Sequence, residues 1–224
     1  MRKIIVFVFL FSVSVCLIRL ASAEIFYSYG PGNVKKVALT FDDGPGSATE
    51  KVLDILKEKN VKSTFFLLGV RVKSSPRMAR AIASAGHEIA NHTYGHVNFY
   101  SYKGKDKAAK MERELLEGKN IIKKITNTEP LLVRFPYGYL KSDAIKTAEK
   151  YGFYVINWTF GCDWEKMTAE EMHDRYRKAV KNGAIFLMHD LDKNSKVLLF
   201  LGDFIDELKK LNYKIVTVSE LLSL

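Results

Sequence analysis

Residues 36–68, KVALTFDDGPGSATEKVLDILKEKNVKSTFFLL, decide the fold. Residues 37–41 form a short β-rich run, and Asp42-Asp43-Gly44-Pro45 follows it, with Gly and Pro turning the chain. Residues 49–59 place their apolar side chains three and four apart, the period of an amphipathic helix, and 63–68 return to a β-rich run. The alternation continues outward from this unit. Residues 88–91, 131–134, 154–158, 184–189 and 214–218 read as strands, and 76–85, 105–125, 143–151, 169–181 and 196–211 as helices, several opening after a Ser or Thr able to cap the first turn. An α/β fold in one domain is expected, either a barrel or a doubly wound sheet. Both carry their chemistry at the C-terminal ends of parallel strands. Asp42 and Asp43 follow the first strand, His92 the third, Arg134 ends the fourth, Asp163 lies beyond the fifth and His189 ends the sixth, so these six should share one rim.

The 224-residue chain opens with Arg2-Lys3, an apolar stretch at 4–18 and Ala21-Ser22-Ala23, the order of a secretory signal cleaved after Ala23. The stretch is shorter than the about 20 residues of a spanning helix, and Arg19 closes it. Membrane attachment is expected only if this segment is retained; otherwise the protein is secreted or held in the cell envelope. Beyond Ala23 only Cys162 remains, so no disulfide within the mature chain is expected. The formal charge of +10 is spread rather than gathered in a block. No zinc-finger, RNA-motif or basic-helix signature accompanies it, which sets nucleic acid aside, while an anionic wall or surface glycan suits the charge.

His92-Thr93-Tyr94-Gly95-His96 sets two imidazoles four residues apart, a spacing that on one helical turn puts both on one face. With one carboxylate added, the set leaves coordination positions open for water and substrate, as a catalytic metal requires. Successive side chains leaving a strand point in different directions, so of Asp42 and Asp43 one can bind metal while the other takes a proton. Taken alone, Asp-Asp-Gly-Pro is a turn and the two histidines are a core or surface pair. Their combination raises the catalytic reading.

TFDDGP at 40–45, HTYGH at 92–96, RFPYG at 134–138, DW at 163–164 and LMH at 187–189 occur in the order found in one family. With them the chain resembles the polysaccharide deacetylases, carbohydrate esterase family four, over residues 37–222. The resemblance implies a distorted (β/α) barrel and a divalent metal, zinc ahead of cobalt or another ion, held by Asp43, His92 and His96. It makes Asp42 the base that takes a proton from the attacking water, Arg134 its partner, and the backbone N–H of Tyr137 an oxyanion donor; a Tyr137 that simply lines the sugar groove is the alternative. His189 becomes the acid that protonates the leaving amine, Asp163 holds it protonated and oriented, and Trp164 and Leu187 wall the acetyl pocket.

Many relatives have Arg-Pro-Pro where this chain has Arg134-Phe135-Pro136, and many carry a further acid where only residues 159–162 stand here. These departures bear on substrate contacts. Cys162 reads as a packed thiol and the Lys/Glu-rich helix at 105–125 as a solvated face. The expected layout is a signal peptide at 1–23, a short extension at 24–35 and a catalytic domain at 36–224, with a monomer assumed. The expected activity is hydrolysis of N-acetyl groups from N-acetylglucosamine units of a polysaccharide, peptidoglycan first, with chitin oligomers, poly-N-acetylglucosamine or acetylxylan as alternatives. A glycan-binding protein of the same fold would be expected to lack a ligand, base or acid. A structural zinc protein would want a closed four-ligand site, for which one thiol is too few.

Overall fold

The computed structural model describes residues 25–192 and 195–224; the predicted signal peptide lies outside them. Strand β1 (Phe26–Tyr27) precedes β2 (Lys36–Asp42), whose residues from Val37 onward are all buried. There follow α1 (Thr49–Glu58), β3 (Thr64–Leu67), α2 (Gly69–Ser74), α3 (Pro76–Ser84) and β4 (Glu88–Asn91). The long α4 (Lys107–Thr126) leads to β5 (Leu132–Val133), a 3-10 turn at Pro136–Gly138, α5 (Ser142–Lys150) and β6 (Tyr154–Ile156). The chain ends with α6 (Ala169–Lys178), β7 (Ile185–His189), α7 (Val197–Lys210), β8 (Lys214–Val216) and α8 (Val218–Leu222).

The strands form one parallel sheet in the order β1-β6-β5-β4-β3-β2-β7, with β8 against β2. β2 is its hub: Ala38–Asp42 pairs with β7, Thr40–Asp42 with β3 and Lys36–Ala38 with β8. From β2 to β6 the order never reverses, which is barrel topology; a doubly wound sheet would switch direction midway. The free edges approach each other through two bridges, Tyr29 with Ala184 and Phe160 with Phe186. The sheet is therefore curled into an incomplete barrel.

Side chains alternate across a strand, and here the alternation divides two cores. Leu39, Phe41, Phe65, Leu67, Phe186 and Met188 point outward and pack beneath α1, α6 and α7. Ala38, Phe66, Ala90, Leu132, Ile156 and Ile185 point inward, where Val218 and Leu221 of α8 pack with them. Two or four residues beyond these inward positions, the same parity brings Thr40 and Asp42, His92, Arg134 and Leu187 and His189 to the inner side, with Trp158 two beyond Ile156 on its strand line.

The expected cap forms at α6, behind Thr168, but not at the other helices expected from sequence. Only α6 and α8, among the described residues, carry side-chain caps, the boxes Thr168–Glu171 and Thr217–Glu220. The Thr49 hydroxyl at the start of α1 donates instead to Asp190 Oδ2 at 2.5 Å.

Candidate active site

Arg134 lies inside the barrel at 0% exposure, and every bond that compensates its burial can be named. Nη1 donates to Asp42 Oδ1 at 2.6 Å and to Thr40 Oγ1 at 2.8 Å, Nη2 to the Asn157 carbonyl at 2.9 Å and Nε to the Ile156 carbonyl at 3.2 Å. Its guanidinium carbon stands 4.0 Å from the centre of the Phe66 ring. A buried guanidinium is tolerated only with such a set of partners. The consequence falls on Asp42. One carboxylate oxygen is fixed by Arg134, and Oδ2 faces the imidazoles, 3.8 Å from His92 Nε2.

Asp43 turns away from its neighbour because its φ is 71°, in the left-handed region where an aspartate is tolerated better than most residues. Its Oδ1 stands 3.4 Å from His92 Nε2 and 3.1 Å from His96 Nε2. The two histidines do not share a helical turn as their spacing predicts. Thr93 and His96 have φ of 68° and 60°, and the segment is an irregular loop that still brings the ring centres to 5.2 Å. His92 Nδ1 bonds the Arg134 carbonyl at 2.7 Å, which commits the Nδ1 proton there and leaves Nε2 with a lone pair.

Three ligand atoms, one from each of Asp43, His92 and His96, lie within 4.8 Å of one another. Asp43 Oδ1 is buried and makes no hydrogen bond, a costly state for a carboxylate oxygen unless a cation completes it. Burial would raise the Asp43 carboxyl, but its polar contacts with the His92 and His96 imidazoles outweigh it and hold the group well below the usual carboxylate range. An anionic oxygen and two imidazole nitrogens fit a divalent ion of the zinc kind.

Across the opening, His189 Nδ1 meets Asp163 Oδ1 at 2.9 Å, and the His189 backbone N–H donates to Asp163 Oδ2 at 2.7 Å. Burial lowers the imidazole pKa, but the hydrogen bond and charge of Asp163, with the charges of Asp42 and Asp43, bring it up to about 9. The Trp164 ring stands edge-on to His189 at 5.8 Å. Neighbouring Cys162 is a buried thiol pushed up to about 11 by burial, which suits packing and not nucleophilic attack.

A cavity of about 460 Å³ joins these parts; Asp42, Asp43, His92, His96 and His189 line it together with Tyr137, Trp164 and Leu187. Leu187 is buried at its floor, while Tyr137 and Trp164 are 57% and 55% exposed and stand at the rim. The Tyr137 ring packs 4.8 Å from that of His96. In the RFPYG turn, the N–H groups of Gly138 and Tyr139 are spent on the Phe135 and Pro136 carbonyls, and that of Tyr137, at φ 59°, takes no part in this pattern. Arg134 and Asp163 stand behind the lining, each bonded to a residue that faces it.

Sequence reasoning missed three contributors. Trp158 lines the cavity, and its parity with Ile156 was the available signal. Asp190 lies fully buried under the Asp-Asp-Gly-Pro turn, so close that a Cβ on Gly44 would sit 2.5 Å from its Oδ1. Glu114 belongs to the helix expected to be a solvated face, yet it is only 3% exposed.

The polysaccharide deacetylase family profile matches residues 29–156. A peptidoglycan-N-acetylglucosamine deacetylase of Bacillus cereus is 38% identical over 197 residues, spanning 86% of this chain and 90% of its own length. Among solved structures, a peptidoglycan N-acetylglucosamine deacetylase complexed with 4-naphthalen-1-yl-N-oxidanyl-benzamide superposes with a TM-score of 0.83 at 30% identity, over 89% of this chain and 94% of that one. A CE4 family pseudoenzyme from Bacillus anthracis superposes with a TM-score of 0.81 at 29% identity, over 89% of this chain and 69% of its own. Barrel topology, ordered motifs and these similarities agree: the chain belongs to the polysaccharide deacetylase family, carbohydrate esterase family four.

Proposed function

We propose that this protein is an exported hydrolase that removes acetyl groups from N-acetylglucosamine units of peptidoglycan, using a divalent ion, zinc first, held by Asp43, His92 and His96. The observation that carries the proposal is the opposition across one cavity of an Arg-anchored carboxylate, Asp42, and an Asp163-held imidazole, His189, with the three-ligand set beside the carboxylate. Barrel architecture alone would not carry it, since one relative of this fold is a pseudoenzyme. Export is supported by the reading of residues 1–23, and peptidoglycan by the Bacillus cereus relative.

When bound, a divalent ion would supply Lewis acidity, lowering the pKa of water toward about 7 and polarising the acetyl carbonyl. The remaining work falls to side chains. Asp42 Oδ2 takes a proton from the water whose oxygen attacks the carbonyl carbon, while Arg134 fixes Oδ1 and keeps the carboxylate from turning. The Tyr137 N–H donates to the carbonyl oxygen as negative charge develops on it. His189, with Nδ1 held by Asp163, presents Nε2–H and protonates the amine nitrogen as the C–N bond breaks. Acetate and a free amino sugar leave. Leu187 at the floor and Trp164 at the rim bound a space suited to the acetyl methyl.

Acetate release from peptidoglycan, chitin oligomers and acetylated xylan, compared at equal acetyl content, tests the choice of substrate. Preferential release from peptidoglycan is expected. Release from xylan alone would mean that the site cleaves esters and would end the amidase reading.

A further inference from the structure

The five residues His92–His96 supply two of the three proposed metal ligands from an irregular loop, so something outside the loop must hold its shape. His92 is secured by its own bond to the Arg134 carbonyl. Among the described residues His96 has no comparable bond to protein; its imidazole meets Asp43 and the rings of His92 and Tyr137. Its position depends on the backbone of Thr93, Tyr94 and Gly95, where Thr93 and His96 themselves adopt the sparsely populated left-handed region.

The backbone groups of this loop can be followed to their partners. The Thr93 and Tyr94 carbonyls accept from Gly69 and Val70, the first N–H groups of α2, each at 2.9 Å. The Thr93 N–H donates to Asn91 Oδ1 at 3.0 Å. The Tyr94 and Gly95 N–H groups both donate to one oxygen, Glu114 Oε2, at 3.1 and 2.6 Å. Its other oxygen, Oε1, meets Lys110 Nζ at 2.9 Å, one turn back along α4. Glu114 is buried, on a helix whose other acids are less enclosed, and a Cβ on Gly95 would come within 3.4 Å of it. A carboxylate taken out of water to receive two consecutive N–H groups of a ligand loop has a more specific assignment than packing.

We infer that Glu114 is a positioning residue for the metal site: by fixing the backbone just before His96, it sets that ligand against His92 and Asp43 and thereby sets the affinity for the ion. Outer partners that orient ligands commonly govern metal affinity by about 10- to 100-fold. The inference rests on the metal-site reading above.

Two variants separate reach from charge. Glu114→Asp keeps the charge but withdraws the oxygen by about one C–C bond, 1.5 Å. Glu114→Gln keeps the reach and an accepting oxygen but loses the charge. Cobalt(II) binding to each purified chain, followed by calorimetry and by visible absorption of the bound ion, should weaken by about tenfold or more in Glu114→Asp, with an altered spectrum. Glu114→Gln should stay within about threefold of the parent, and urea unfolding should show both variants folded. Equal affinity and spectra in Glu114→Asp and the parent would overturn the inference, as would a larger loss in Glu114→Gln than in Glu114→Asp, which would mean that charge and not reach matters. If Glu114→Asp does not fold, a tenfold loss in folded Glu114→Gln likewise contradicts it. A parent chain that binds no cobalt would end the metal-site reading itself, and the inference with it.

Discussion

Asp42 and Asp43 are adjacent, chemically identical and differently placed. Asp42 is nearly buried against Arg134, and Asp43 is turned by its left-handed backbone toward two imidazoles. Asp42→Asn should therefore bind cobalt as the parent does while kcat falls by about 10²- to 10⁴-fold, the usual contribution of a positioned base. Calorimetry and acetate release on the same preparation would show the split, and parental turnover would remove Asp42 as the base. Arg134→Met should be costly for another reason: it leaves the Asp42 carboxylate buried without its partner, which destabilises by about 3–5 kcal/mol and is measurable by urea unfolding. His189 supplies a pH prediction. Asp163 holds its pKa above the ordinary 6.5, so the acid is present through neutrality and activity should decline on the alkaline side of neutrality. Asp163→Asn removes the chief raising influence and leaves burial to lower the pKa, so the alkaline limb of kcat should move to lower pH. An unmoved limb would dissociate His189 from it. At this scale the motif residues were legible from side-chain chemistry and spacing. Asp190 and Glu114 were not, because a carboxylate in sequence does not announce whether it faces a turn, a loop or solvent, and Trp158 was signalled only by its parity with Ile156.

At the scale of elements, α4 is the informative case. Its Lys/Glu-rich composition reads as a surface helix, and most of it is one, but Glu114 and Gly118 face the ligand loop. Gly118 is where the helix touches that loop: a Cβ there would lie 2.4 Å from Asn91 Oδ1 and 2.9 Å from the Thr93 carbonyl. Helix propensity alone predicts that Gly→Ala stabilises by about 1 kcal/mol. We expect the reverse for Gly118→Ala, a loss of about 1–3 kcal/mol from overpacking with weakened cobalt binding. A raised melting temperature with intact binding would show the helix free to shift. The longer strands and helices were legible because their periodicity extends over several residues. β1 has two residues, and α2 and α8 have six and five, too few for a period to register against their neighbours. The histidine loop misled for a related reason, since a spacing of four suits a helical turn and a left-handed reversal at Thr93 equally well.

At the scale of the molecule, the alternation of strands and helices left barrel and open sheet undecided, because the difference lies in non-local pairing. Bridges at Tyr29 and Phe160, far in sequence from their partners Ala184 and Phe186, bring the edges together and give the parallel strands a common rim. That closure brings Asp42 from β2, His92 from the end of β4 and His189 from β7 around a single cavity. Among the described residues no helix is long and apolar enough to cross a membrane. The central claim is that this rim is one metal-dependent deacetylation site, and its most direct test is acetate release from N-acetylglucosamine oligomers and peptidoglycan by the chain as purified, after chelation, and after zinc or cobalt is restored. Chelation should abolish release and either ion should return it, with the folded structure kept throughout as judged by circular dichroism. Release that survives complete chelation, or none from a folded, metal-loaded chain on either substrate, would contradict that claim.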